Sequence, residues 1–313
     1  MTRIFVNLKR FDVPRSLGGV CPEEDPERWI RGVLRRTFDN GLSKGRHAKI
    51  IFLVPESLIL IAQQELRAHP VSERSAISIG CQGVFRRNVQ VGGNFGAFTT
   101  NLPAAAAAAM GVAWTIVGHS EERADKLDIL RSYDPDVEKT EPLRIRARET
   151  VDRHINQEVL RALESGIDVL LCVGETAEER GDGSFEDQKP RIERALQSQI
   201  EIGLDGARKF LSSREIVIGY EPVWAIGPGK TPPGADYVSF VAEYIKRIAG
   251  RIHGFEPSVV YGGGLKEENA ALLGGVKEIG GGLVALTRFS PPIGFDPDEL
   301  AIIVEKYAQG GTK

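Results

Sequence analysis

The sequence predicts an α/β chain folded as a (β/α)8 barrel, and three observations carry that prediction. Eight short runs rich in β-branched residues recur along the 313 residues. They are continuously apolar rather than alternating, as strands buried on both faces of a parallel sheet are. Stretches with helical spacing and charged faces separate them, which favours a barrel of alternating strands and helices. The third observation is where the unusual residues fall. Asn7, Gln82, His119, Glu175, Glu221 and Gly262 each stand at or just past the end of a run, the barrel face that carries active sites. A doubly wound sheet would put a glycine-rich turn after an early strand, whereas the first run here ends Asn7-Leu8-Lys9.

Taken in order, the first strand is expected over Ile4–Leu8. A long connector, Phe11–His47, follows and opens with a Pro/Gly-rich piece, Pro14–Pro26. The second and third strands are read at Lys49–Val54 and Ala76–Cys81, with a lengthened loop, Gly83–Phe95, behind the third. Ala104–Ala109 is a helix-forming run after Pro103. Val112–Val117 is the fourth strand. A charged segment, Ser132–Asp152, precedes a helix expected at Ile155–Leu163. Asp168–Val173, Glu215–Gly219, Ser258–Tyr261 and Gly282–Leu286 complete the strands, with helical spacing at Pro190–Ile202, Val238–Ile252 and Asp298–Tyr307. The three long connectors, 11–47, 83–95 and 132–152, carry no apolar core of their own. Residues 1–313 are therefore read as one barrel domain with surface insertions.

Composition excludes several classes of function. A formal charge of −3, with both signs spread along the chain, gives no basic face for nucleic acid. Three separated cysteines supply neither a disulfide framework nor a four-ligand zinc site, and they suit a reducing compartment. No apolar run approaches the roughly 18 residues of a membrane span. The chain opens directly in a strand without a signal-peptide core, so a cytoplasmic protein is expected.

The most informative stretch is Gly219-Tyr220-Glu221-Pro222-Val223-Trp224-Ala225-Ile226-Gly227-Pro228-Gly229-Lys230. A strand delivers a carboxylate to its C-terminal end, and a hinge proline, large apolar residues and glycines follow. That order reads as a base beneath a lid. Excluding water raises the basicity of a carboxylate and strengthens the charge interactions around it. Gly227 and Gly229 would let backbone N–H groups close over an anion. A second motif, Gly118-His119-Ser120-Glu121, offers an imidazole at a strand end, with Ser120 as the expected cap of a helix whose N-terminus favours an uncharged ring. The third, Asn7-Leu8-Lys9, pairs a neutral donor with a cation.

These motifs, with Cys172-Val173-Gly174-Glu175 and Tyr261-Gly262-Gly263-Gly264 following in order, resemble those of the triosephosphate isomerase family from first strand to last. The resemblance implies a TIM barrel and an aldose–ketose isomerase interconverting dihydroxyacetone phosphate and glyceraldehyde 3-phosphate through an enediol. Glu221 would be the base and His119 the neutral electrophile, a pairing that serves as a standard illustration of tuned acid–base catalysis in this family. Lys9 and Asn7 would steady developing negative charge, and Glu121 would support the lysine. Cys172 and Glu175 would tune and pack. The substrate phosphate would rest on backbone N–H groups of Gly227, Gly263, Gly264, Ala285 and Leu286. No cofactor and no metal are implied. The partner is a small phosphorylated sugar, and the assembly is a cytoplasmic homodimer serving glycolysis and gluconeogenesis.

The chain departs from the family pattern at four places. Gly264 replaces a serine, and Ala285-Leu286 stands where a glycine pair is usual, with Arg288 close enough in sequence to supply charge. The lid has Pro228 at its tip and a stiff far hinge, Lys230-Thr231-Pro232-Pro233. Asn101 and Glu122 replace an inter-subunit Glu and Arg near Gly96-Ala97-Phe98-Thr99. These departures keep two alternatives open: an isomerase of a tetrulose phosphate such as erythrulose phosphate, or a catalytically silent paralogue.

Overall fold

The computed structural model describes residues 2–227 and 229–311; Pro228, read above as the lid tip, lies outside the described residues. Eight parallel strands close into a barrel: β1 Arg3–Asn7, β2 Lys49–Val54, β3 Ile77–Cys81, β4 Trp114–Val117, β5 Asp168–Val173, β6 Ile216–Tyr220, β7 Ser258–Tyr261 and β8 Gly281–Val284. Closure comes from β8 beside β1, in a register running from Arg3 opposite Gly281 to Val6 opposite Val284. Gly281 permits that closure, because a Cβ there would overlap the backbone of Arg3.

Among the described residues eleven α-helices stand between and after the strands: α1 Pro26–Asp39, α2 Ile59–Arg67, α3 Val71–Arg74, α4 Ala104–Ala109, α5 Ser120–Tyr133, α6 Glu141–Glu164, α7 Ala177–Arg180, α8 Phe185–Gly203, α9 Ala235–His253, α10 Glu267–Gly274 and α11 Pro297–Gly310. Their starts follow local chemistry. Asp25 caps α1 by accepting the Glu27 N–H, with Pro26 in the first turn. Ser184 and Asp187 form a reciprocal capping box on α8.

Alternate strand residues face opposite layers. Phe5, Ile51, Leu53, Trp114, Ile116, Leu170, Val217 and Leu283 fill the barrel interior, where Phe5 meets Trp114 edge-on at 5.1 Å between ring centroids. Their neighbours Ile4, Val6, Ile50 and Phe52 pack outward against the helices. Fully burying one such side chain is worth about 1.5–3 kcal/mol, so both layers are needed to hold the ring of strands.

Several boundaries shift. β1 starts at Arg3 and ends at Asn7, β3 starts at Ile77, β4 at Trp114, and β6 covers Ile216–Tyr220. β8 ends at Val284, so Ala285 and Leu286 lie just beyond the strand and Gly281-Gly282 within it. The larger correction concerns 132–152. It is no loop excursion throughout, because α6 runs 24 residues from Glu141 and buries Ala147, Val151 and Asp152. Its inward face there is small and polar, which hides it from a search for apolar periodicity. Among the described residues no helix is long and apolar enough to cross a membrane.

Candidate active site

Glu221 follows β6 directly, and only 2% of its surface is exposed. Its backbone N–H donates to Val173 O of β5 at 2.8 Å, fixing the start of its side chain. Gly262, at the end of β7, makes room for it: a Cβ on Gly262 would lie 2.9 Å from Glu221 Cγ. The carboxylate meets two donors. Oε2 accepts the Ser120 N–H at 2.9 Å, and Oε1 lies 3.1 Å from His119 Nε2. Burial pushes this carboxyl up from its ordinary value, while His119, the Ser120 N–H, Arg123 and Lys9 pull it back.

His119, not Ser120, caps α5. Gly118 supplies the reason, since its φ of +75° turns the chain after β4 and starts the helix at Ser120. The His119 ring caps through Nδ1, which accepts the Glu121 N–H at 3.3 Å. An Nδ1 that accepts carries no proton, which leaves the ring N–H on Nε2, 3.1 Å from Glu221 Oε1.

Lys9 adopts a left-handed conformation, φ +43°, that few side-chain-bearing residues tolerate. Two contacts hold it there: its N–H donates to Asn7 Oδ1 at 3.0 Å, and its carbonyl accepts from Gln82 Nε2 at 2.8 Å. The turned backbone sends Nζ to Glu121 Oε1, 2.5 Å away. Burial raises the Glu121 carboxyl, but the Lys9 hydrogen bond and charge outweigh it and hold the group below its usual range. Asn7, Lys9, Glu121, His119 and Glu221 thus form one connected polar chain across the barrel mouth, from β1 through β4 to β6.

The lid is anchored on the opposite side. Glu175, fully buried, accepts on one oxygen from Tyr220 Oη at 2.9 Å, Trp224 Nε1 at 2.7 Å and Tyr237 Oη at 2.7 Å. Burial raises its carboxyl, opposed by these donors. Arg180 also lies over the Trp224 ring, 3.9 Å from its centroid. Cys172 is buried beneath Glu221, and burial with that carboxylate pushes its thiol well up, which makes it inert as a nucleophile.

Past β7, Gly263 is buried, and a Cβ on it would lie 2.7 Å from Pro222 Cγ at the lid hinge. Gly264 follows with φ +88° and open space around it. Neither N–H donates to an acceptor among the described residues, and consecutive free N–H groups at such a turn form an anion-binding concavity. Ala285 and Leu286 are half-buried, and Gly227 is exposed on the lid. Arg288 stands apart from the expectation above, because its guanidinium is already held by Asp296 and Glu299, each at 2.8 Å.

The sequence profile of the triosephosphate isomerase family matches residues 35–291. The chain belongs to the triosephosphate isomerase family. Among curated members it is 35% identical over 194 residues to the triosephosphate isomerase of Pelodictyon phaeoclathratiforme, covering 61% of this chain and 64% of that relative. It is 32% identical over 254 residues to the Delftia acidovorans triosephosphate isomerase, covering 80% and 85%. The crystal structure of triosephosphate isomerase from Bartonella henselae superposes over 98% of both chains with a TM-score of 0.65 at 22% identity, a likeness of fold. Against that family background, sequence reasoning overlooked the Ser120 N–H, the Gln82 clamp on Lys9, and the Tyr237 and Trp224 donors to Glu175. Only Gln82, standing at a strand end, left any signal. Asn101 is exposed and donates to the neighbouring Thr100 hydroxyl, and Glu122 turns inward to Lys126.

Proposed function

We propose that the chain is an aldose–ketose isomerase acting on a short phosphorylated sugar, with dihydroxyacetone phosphate and glyceraldehyde 3-phosphate as the pair. The observation that carries this reading is the buried Glu221 carboxylate 3.1 Å from Nε2 of His119, whose Nδ1 accepts the Glu121 N–H. Glu221 leaves the Ser120 N–H, takes the proton from the carbon beside the substrate carbonyl, and returns it to the neighbouring carbon. The His119 Nε2–H polarises the carbonyl oxygen. Lys9, exchanging Glu121 for substrate, and Asn7 steady the enediolate. Val223, Trp224 and Ile226 keep water from the intermediate when the lid closes. The phosphate rests on the N–H groups of Gly227, Gly263 and Gly264, beside Ala285 and Leu286. No cofactor is needed for this proton shuttle. Family membership supports a place in cytoplasmic glycolysis and gluconeogenesis. Val91 and Phe95, the latter 92% exposed, support a protein contact such as a homodimer at the loop after β3.

A second reading, a tetrulose phosphate substrate, is favoured by one observation. Half-buried Ala285 and Leu286 bring side chains to the positions just past β8, where glycines would leave backbone N–H groups open. A coupled assay on three-carbon and four-carbon ketose phosphates, with Glu221→Gln as blank, decides between them. Faster turnover of the triose supports the first reading, and preference for the tetrulose makes those side chains specificity determinants. Rates equal to the blank on both would point to the silent paralogue.

A further inference from the structure

The direction of the His119 ring depends on the peptide before it. Gly118 has no side chain to restrict its turn, and a Cβ there would lie 2.9 Å from Cys172 O, so none is tolerated. The two peptides that flank its Cα are instead clamped by hydrogen bonds, Val117–Gly118 at its N–H and Gly118–His119 at its carbonyl. Glu122 Oε2 accepts the Gly118 N–H at 2.6 Å, and Arg123 Nε donates to the Gly118 carbonyl at 2.7 Å. Behind these stand two carboxylates of α6. Asp152, 2% exposed, holds Arg123 at 2.5 Å. Glu158, 4% exposed, shares Lys126 with Glu122, at 3.0 and 2.5 Å respectively.

We propose that Glu122, braced by Lys126 and Glu158, is a positioning residue that sets the aim of His119 at Glu221 through the Gly118 N–H. The inference rests on the isomerase reading above. Arg123 holds only the Gly118–His119 peptide, and Glu122 fixes the Val117–Gly118 peptide on the other side of the glycine Cα, so the two together set the turn that delivers His119. The Glu122 bond is charge-assisted and short, about twice the strength of a neutral one. Lys126 keeps the Glu122 carboxylate from turning toward the cavity of about 480 Å³ that adjoins the cluster and is lined also by Arg86, Asp125 and His154. Burial, then the charge of Glu122, push the Glu158 carboxyl up to about 9. A carboxyl raised in this way leaves Lys126 and Glu122 as the charged pair of the cluster, with Glu158 packed beside them.

The test compares Glu122→Ala with Glu122→Gln, whose side-chain oxygen still accepts the Gly118 N–H. Steady-state kinetics are paired with NMR of protein labelled at the histidine ring nitrogens, His119 being assigned by His119→Gln. For Glu122→Ala, kcat is expected to fall about 10- to 100-fold, the scale of an ångström-level misplacement. KM should change less than about threefold on that account, and the His119 ring signals should shift. Glu122→Gln should recover most of kcat and the wild-type ring signals. An active wild type with unchanged kcat and ring signals in Glu122→Ala would overturn the inference alone. A merely structural role would lower the unfolding midpoint of both variants and leave the ring signals of folded protein unmoved, which also overturns it. An inactive wild type would remove the isomerase reading and the inference with it.

Discussion

Substituting Gly262 by alanine probes the space reserved for Glu221. The new Cβ would lie 2.9 Å from Glu221 Cγ and 3.0 Å from Tyr220 O. Carbon–carbon contact needs about 3.5 Å or more, so Glu221 must retreat by roughly 0.6 Å. The Tyr220 carbonyl cannot yield instead, because it belongs to β6 and already accepts the Gly262 N–H at 2.6 Å. Overpacking of this kind destabilises by about 1–3 kcal/mol, and a misplaced base lowers kcat by about 100-fold. Gly166→Ala, in the turn that precedes β5 and away from the site, is the control. There the Cβ meets open space, but φ +81° strains it, at about 1–2 kcal/mol. The two variants should thus lose similar stability in urea unfolding, while only Gly262→Ala loses two orders in kcat. A Gly262→Ala enzyme within threefold of wild-type kcat would refute the argument that this glycine exists to admit the base.

Trp224→Phe removes the lid's hydrogen bond to Glu175 and leaves Tyr220 and Tyr237 in place; a bond to a charged group is worth about 1.5–3 kcal/mol. Amide exchange across residues 222–227 should therefore quicken by roughly 10-fold or more, and an unchanged rate would show the lid is held elsewhere. Stability should fall as pH rises, because Glu158 keeps its proton in the folded state to about pH 9 while the unfolded chain releases it near 4.5. Its contribution is complete below pH 4.5 and lost progressively toward pH 9. Glu158→Gln should flatten that slope in urea titrations between pH 7 and 9, and an unaltered slope would contradict the assignment. Lys9→Met should raise KM and lower kcat yet shift the unfolding midpoint little, since its partner Glu121 is mostly exposed; normal kinetics would exclude Lys9 from the site.

The barrel was legible because each strand carries its own signal, a continuous apolar run that ends in a residue out of keeping with burial. Glu221, His119 and Lys9 were visible for the same local reason. What joins them was not. The Glu175 hub gathers Tyr220, Trp224 and Tyr237 from up to 62 residues away, and nothing in the spacing of those residues announces it. The cap of α5 escaped because Ser120 is the better cap by type, yet Gly118 turns the chain so that His119 occupies the position. The start of α6 was misjudged because its buried face there includes Asp152, whose burial makes sense only beside Arg123. Long-range pairing of charges defeats periodicity, which reads only one helix at a time.

In the proposed reaction Glu221 moves a proton at a carbon beside a carbonyl. Proton NMR of dihydroxyacetone phosphate in deuterium oxide tests it directly. Wild-type protein should catalyse the loss of one carbon-bound proton signal and the appearance of deuterated glyceraldehyde 3-phosphate, and Glu221→Gln should slow both by several orders of magnitude. Exchange that proceeds equally in Glu221→Gln would contradict the account and transfer the base to another residue.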